Sequence, residues 1–89
     1  MYVILFYDIT EKEKSNARAV RKEVEKYLNR VQYSVFEGEI RESDLKTLKT
    51  HLKRVVKDDK DSIIIYTIKG FKYIDRDVIG VDKKEDIFS

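Results

Sequence analysis

Two short segments, YVILFYD (Tyr2 to Asp8) and SIIIYTI (Ser62 to Ile68), are apolar on both alternations of a strand. In the first, Tyr2, Ile4 and Phe6 share a parity with Asp8, while Val3, Leu5 and Tyr7 share the other. In the second, Ile63, Ile65 and Thr67 oppose Ile64, Tyr66 and Ile68. Successive side chains of a strand point to opposite faces, so a sheet containing these segments needs cover on both sides. The chain has only 89 residues, and its helices can cover one face. The second face is left to another copy of the chain or to the C-terminal segment of the same chain, and the pattern points to a homodimer packed through its sheets.

Between the two strands lie two helical patterns and one further apolar run. Ala17, Val20, Val24, Tyr27 and Leu28 recur at spacings of three and four, with Arg18, Arg21, Lys22, Glu25 and Lys26 on the other side. Thr10 and Glu13 form a candidate capping box, although Ser15 or Asn16 could equally start this helix. A second helix begins at Ser43 or Asp44 and carries Leu45, Leu48, Leu52, Val55 and Val56 inward, with Lys46, Lys49, Lys53 and Lys57 along its outer face. The run RVQYSVFEGEI (Arg30 to Ile40) folds back as a hairpin, because one long strand would leave only three strands for two helices. Its turn falls at Tyr33-Ser34 or at Glu37-Gly38, and neither carries a strong hairpin signature. The resulting order is βαββαβ, an α+β ferredoxin-like fold in one domain spanning residues 1–89. A short additional C-terminal strand is expected at 76–81, followed by a charged tail at 82–89.

Composition excludes several functions. The chain contains no cysteine, which rules out a disulfide framework and a thiolate zinc site. No signal segment and no apolar stretch near 18 residues is present, so a cytoplasmic protein with no membrane association is expected. Lys and Arg number 19 against 17 Asp and Glu, and the net charge of +2 leaves room only for a local basic patch. A domain of this size buries roughly 60 to 65% of its unfolded surface, so a partner would help its stability.

The usual catalytic constellations are missing. His51 is the only histidine and lies beside the lysine face of the second helix, where it reads as a surface or flank residue. There is no P-loop, no dinucleotide-binding glycine run and no serine-nucleophile elbow. What remains is Asp8 at the rim of the first strand, Arg18, Arg30, the polar Gln32 and Ser34 within the hairpin, and Phe36. Asp8 is either a turn former leading into the helix or a group held for chemistry. If the open sheet face lies on a two-fold axis, two copies of Asp8 approach each other and could hold a hard cation such as Mg²⁺ or Mn²⁺. That arrangement would suit phosphodiester hydrolysis.

YDI closing the first strand, an arginine on the first helix, and RVQYSVFEG after it together resemble the small CRISPR-associated endonuclease family that partners the spacer integrase. The resemblance covers nearly the whole chain. It implies a ferredoxin-like homodimer acting as a Mg²⁺-dependent endonuclease on single-stranded RNA or double-stranded DNA. It also allows a non-catalytic scaffold between two integrase dimers on the captured DNA, or a related toxin ribonuclease. Carried onto this chain, the metal-binding and catalytic aspartate is Asp8 and its neighbour Tyr7. The helix arginine is Arg18, the arginine before the motif is Arg30, and the motif's serine and phenylalanine are Ser34 and Phe36, as nucleic-acid-binding or supporting groups. Where many members have glycine before that arginine, this chain has Asn29, expected to adopt a left-handed cap. The family's C-terminal strand pairs with the partner subunit's sheet, which assigns 76–81 that role.

Overall fold

A computed structural model describes residues 1–10, 14–56, 60–70 and 74–84 of the chain. Its elements run β1 (Tyr2–Asp8), α1 (Lys14–Glu25), β2 (Asn29–Gln32), β3 (Val35–Glu39), α2 (Glu42–Val55) and β4 (Ser62–Ile68). They form a four-stranded sheet of order β2-β3-β1-β4 in which all neighbours are antiparallel. This is the expected βαββαβ ferredoxin-like arrangement.

β1 and β3 are the two inner strands, and β1 joins β3 on one edge to β4 on the other. Leu5 lies opposite Phe36 on one side and Ile65 on the other. Val3 and Leu5 point toward the helices and are fully buried with Val20 and Val24 of α1, Leu45, Leu48 and Leu52 of α2, and Leu28, Phe36 and Ile40. Each of these large side chains contributes about 1.5 to 3 kcal/mol by leaving water. α1 stops at Glu25, and Leu28 is brought into the core by a tight turn in which its N–H bonds the Val24 carbonyl at 2.9 Å. Gly38 sits in the middle of β3 directly beneath this turn, where an added Cβ would lie 3.5 Å from Leu28 Cδ2. That is ordinary van der Waals contact, so packing against Leu28 does not by itself require glycine here.

The hairpin turn lies at Tyr33-Ser34. No non-glycine residue among those described has positive φ, so this is not the primed turn that matches strand twist. The mismatch is taken up by a register shift between Arg30 and Gln32, a bulge of the kind that sharpens local twist and re-aims side chains. The same backbone record corrects the expectation for Asn29, which opens β2 in an ordinary conformation. The helix starts also differ from expectation. α2 begins at Glu42 with Arg41 at the cap position, one to two residues before the expected Ser43 or Asp44. Glu42 and Asp44 sit in its first turn, where negative charge meets the positive end of the helix dipole. Ser15 and Asn16 lie inside α1, and Glu13 of the candidate capping box is outside the described residues.

On the face away from the helices, β1 and β4 align Tyr2 with Ile68, Ile4 with Tyr66 and Phe6 with Ile64. Phe6 and Tyr66 meet edge to face at 5.9 Å between centroids. Phe6, Ile64 and Tyr66 remain 40 to 57% exposed, a continuous apolar patch on a small domain. The C-terminal segment covers one corner only. Arg76 Nε donates to Glu37 Oε1, and Glu37 is itself buried. Burial and the Glu37 carboxylate push the Tyr2 hydroxyl up to about 12. Residues 76–81 form no strand within the chain, and Val78, Ile79 and Val81 are exposed.

The segment is bent back on itself at Gly80, whose φ of 92° favours glycine. That reversal lets Arg76 grip Asp82 bidentately, at 2.9 Å through Nη1 and 3.1 Å through Nη2. Arg76 and the Lys84 N–H hold the Asp82 carboxyl down at about 2, against an ordinary 3.8. A lowered folded value means the linkage is fully present above the ordinary value and fades as pH falls from about 3.8 to about 2. An NMR titration of the Asp82 carboxyl should therefore show a midpoint near 2. In Arg76→Ala the midpoint should return to the normal carboxylate range; an unchanged midpoint would show that the segment is not held through this pair.

Candidate nucleic-acid interface

Three elements meet at one end of the sheet. β1 ends in Tyr7 and Asp8, α1 begins beside them, and the β2–β3 turn closes the third side. Between them is an open cleft of about 700 Å³ lined by Tyr7, Asp8, Arg18, Arg21, Arg30 and Ser34, among others. The parity of β1 sorts its last two side chains. Tyr7, on the helix-facing parity, stacks on Phe36 at 6.0 Å with an interplanar angle of 27°. Asp8, on the opposite parity, is exposed at the rim.

Arg18 and Arg21 are three apart on α1 and so project from one face of it. Sequence reasoning singled out Arg18 and left Arg21 among the solvated residues; the spacing of three was the available signal. Arg21 also lies 3.7 Å from Glu25 in an exposed (i, i+4) pair, which is too weak to hold it away from a ligand. Arg30 comes from the start of β2, and its guanidinium lies over the Tyr33 ring at 5.3 Å from the centroid. Burial raises the Tyr7 hydroxyl, while Arg30 and Arg21 pull it back, so their fields converge on this point. Tyr7 is thus a neutral hydrogen-bonding group at physiological pH.

Ser34 is half-buried in the turn, and its carbonyl accepts the Tyr7 N–H at 3.0 Å, tying the turn to β1. Phe36 is fully buried and cannot stack on a base. Its part is to support Tyr7 from below. Gln32 is exposed and does not line the cleft. Lys46, Lys49 and Lys53 stand exposed on the outer side of α2, also apart from the cleft. His51 is a bridge between helices, with Nδ1 at 3.1 Å from Glu23 Oε2. Lys26 and His51 hold the Glu23 carboxyl below its usual range.

The turn-forming role open to Asp8 in the sequence is filled by another residue. Asp61, just before β4, accepts the Thr10 N–H at 3.2 Å, and the Thr10 hydroxyl points at the same carboxylate and at the Lys60 carbonyl. The Asp8 side chain makes no hydrogen bond or ion pair among the described residues. Among them it is also the only carboxylate lining the cleft, together with three guanidinium groups. No group of three or more His, Cys, Asp or Glu side chains able to hold a metal occurs among the described residues. A hard cation such as Mg²⁺ requires six oxygen ligands in near-octahedral geometry. Most of these can be waters or a substrate phosphate, and among the described residues Asp8 is the protein carboxylate the cleft offers. The three guanidiniums and the neutral tyrosine hydroxyl fit a phosphodiester anion.

Residues 1–74 match the family described as CRISPR associated protein Cas2. The chain is 36% identical over 91 residues to the CRISPR-associated endoribonuclease Cas2 of Fusobacterium nucleatum, covering 99% of this chain and 86% of that protein. It is also 36% identical over 88 residues to the protein of the same name from Thermotoga maritima, covering 99% and 98%. Among solved structures, a crystal structure of Cas2 superposes with a TM-score of 0.78 at 43% identity, over 93% of this chain and 90% of that one. Streptococcus pyogenes Cas2 at pH 6.5 gives a TM-score of 0.78 at 26% identity, over 90% and 100%. No described helix is long and apolar enough to cross a membrane. Sequence match and fold similarity agree, and the chain belongs to the Cas2 family of CRISPR-associated proteins.

Proposed function

We propose that this protein acts in CRISPR spacer acquisition as a homodimeric, phosphate-binding scaffold for nucleic acid and a partner of the spacer integrase. The observation that carries this reading is the convergence of Arg18, Arg21 and Arg30 on one cleft, where Asp8 is the single carboxylate among the described residues. Such a site binds the backbone of DNA or RNA through charge and bidentate hydrogen bonds, and carries no base code of its own. The exposed patch of Phe6, Ile64 and Tyr66 supports the dimer, since apolar area of this kind is covered in stable assemblies.

A second reading is kept because of Asp8. The relatives are named endoribonucleases, and Asp8 is an exposed carboxylate at the rim of the phosphate-binding cleft. In a dimer joined through the open sheet faces, two copies of Asp8 would supply the second protein carboxylate that one chain lacks for Mg²⁺ or Mn²⁺. On this reading the protein is a metal-dependent endoribonuclease or duplex deoxyribonuclease with slow turnover, because among the described residues no histidine or lysine lines the cleft beside Asp8 as a general base.

Three measurements separate these statements. Sedimentation equilibrium should find a dimer at low micromolar concentration, and a double substitution Phe6→Glu with Tyr66→Glu should give a folded monomer. A wild-type monomer would overturn the sheet-to-sheet assembly. Arg18→Ala, Arg21→Ala and Arg30→Ala should each reduce the slope of log K against log salt by about 0.9 on B-DNA and about 0.7 on single strands. The triple change Lys46→Ala, Lys49→Ala and Lys53→Ala is the control, and a larger loss there would move the binding surface to α2. Asp8→Asn removes charge while keeping shape. On the scaffold reading it leaves nucleic-acid binding and spacer acquisition at wild-type level, and wild type shows no chelator-sensitive cleavage. If wild type cleaves RNA or duplex DNA in a chelator-sensitive way and Asp8→Asn does not, the nuclease reading replaces the purely structural one.

A further inference from the structure

Tyr33 has no part in holding the fold together. It is 82% exposed at the tip of the β2–β3 hairpin, and unlike its neighbour Ser34, an ordinary turn residue, it is of no type that turns favour. A ring left in water contributes little by burial and is open to a ligand. Two features prepare it for that. The register shift between Arg30 and Gln32 immediately precedes the tip and re-aims the chain there. The Arg30 guanidinium lies over the ring at 5.3 Å from the centroid, which restrains its orientation while leaving most of the ring open. Tyr33 also lines the same cleft as Arg18, Arg21 and Arg30, a space of about 700 Å³ within the range of small-ligand sites.

We infer that Tyr33 is a stacking platform for one unpaired base, whose phosphate is held by Arg18, Arg21 and Arg30. This deepens the phosphate-binding reading and rests on it: the arginines hold the backbone, and Tyr33 adds a preference for a position where the base is free to turn out. Bases inside a duplex are already stacked on their neighbours and cannot reach the ring without being unstacked. Stacking is tolerant of base identity and does not touch the sugar, so the platform acts alike on RNA and DNA.

The test compares fluorescence anisotropy of labelled single-stranded DNA, the RNA of the same sequence, the DNA strand with its bases replaced by abasic sites, and the blunt DNA duplex. Wild type should bind the base-bearing strands about 5- to 150-fold more tightly than the abasic strand, the equivalent of one stacked base. Tyr33→Ala should erase that difference while leaving abasic and duplex binding unchanged, and Tyr33→Phe should keep it. The stacking assignment is overturned if Tyr33→Ala keeps the difference, or if it weakens abasic and duplex binding as much as the rest. It is also overturned if Tyr33→Ala turns a wild-type dimer into a monomer in sedimentation, which would place the ring in a subunit contact. The triple change of Arg18, Arg21 and Arg30 to Ala distinguishes the two levels. If it leaves binding of the abasic strand intact, the phosphate-binding reading itself fails, whatever Tyr33 does.

Discussion

The structure depends on a strand that must satisfy four demands at once. β1 pairs along both edges, with β3 and with β4, and it carries large apolar side chains on both faces. The helix-facing side chains, Val3 and Leu5, are sealed into the core, so the edges and this face together account for the stability of a single chain. The opposite face is what makes the domain incomplete by itself. Tyr2 and Glu37 are shielded at one corner by Arg76, while Phe6, Ile64 and Tyr66 stay open to water. A central strand cannot be made polar on that side without losing the β-branched and aromatic pairs that hold it to β4.

The same strand delivers the candidate site. Its last two residues fall on opposite parities, so Tyr7 turns toward Phe36 and the helices while Asp8 is left at the rim. Around them the electrostatics are those of an anion site. Among the described residues, three guanidiniums against one carboxylate attract phosphate, and a bound phosphate or a second carboxylate would make the site more favourable to a cation. A scaffold and a weak metal-dependent nuclease thus share one surface, and differ in whether two aspartates meet.

The C-terminal segment illustrates a different balance. Arg76 forms charged hydrogen bonds to Glu37 and Asp82, of which the Glu37 bond is the better shielded. The apolar residues Val78, Ile79 and Val81 gain no cover from this arrangement. The segment is therefore anchored by polar contacts at its beginning while its apolar positions remain available, which is consistent with the proposed crossing to a partner subunit.

From the sequence alone came the two helices and the four strands of the sheet, the hairpin, the ferredoxin-like order and the split of β1 into a helix-facing and an open face. These follow from periodicity and from the small set of ways to layer two helices on four strands, which local residues specify directly. Tyr7 and Asp8 were legible through YDI, Arg30 and Ser34 through RVQYSVFEG, and Arg18 as the arginine of the first helix, and the structure brings all five to one cleft. What the linear order could not decide was everything set by packing between distant segments. Arg21 joins the cleft because α1 lies against the end of β1, and Phe36 leaves it because β3 turns that ring inward. Asp61 took the turn-holding role that Asp8 might have filled, across a separation of 51 residues from Thr10. The absence of a strand at 76–81 has the same origin. A strand exists only where another edge meets it, and that edge is decided by the tertiary or quaternary arrangement rather than by the residues of the strand.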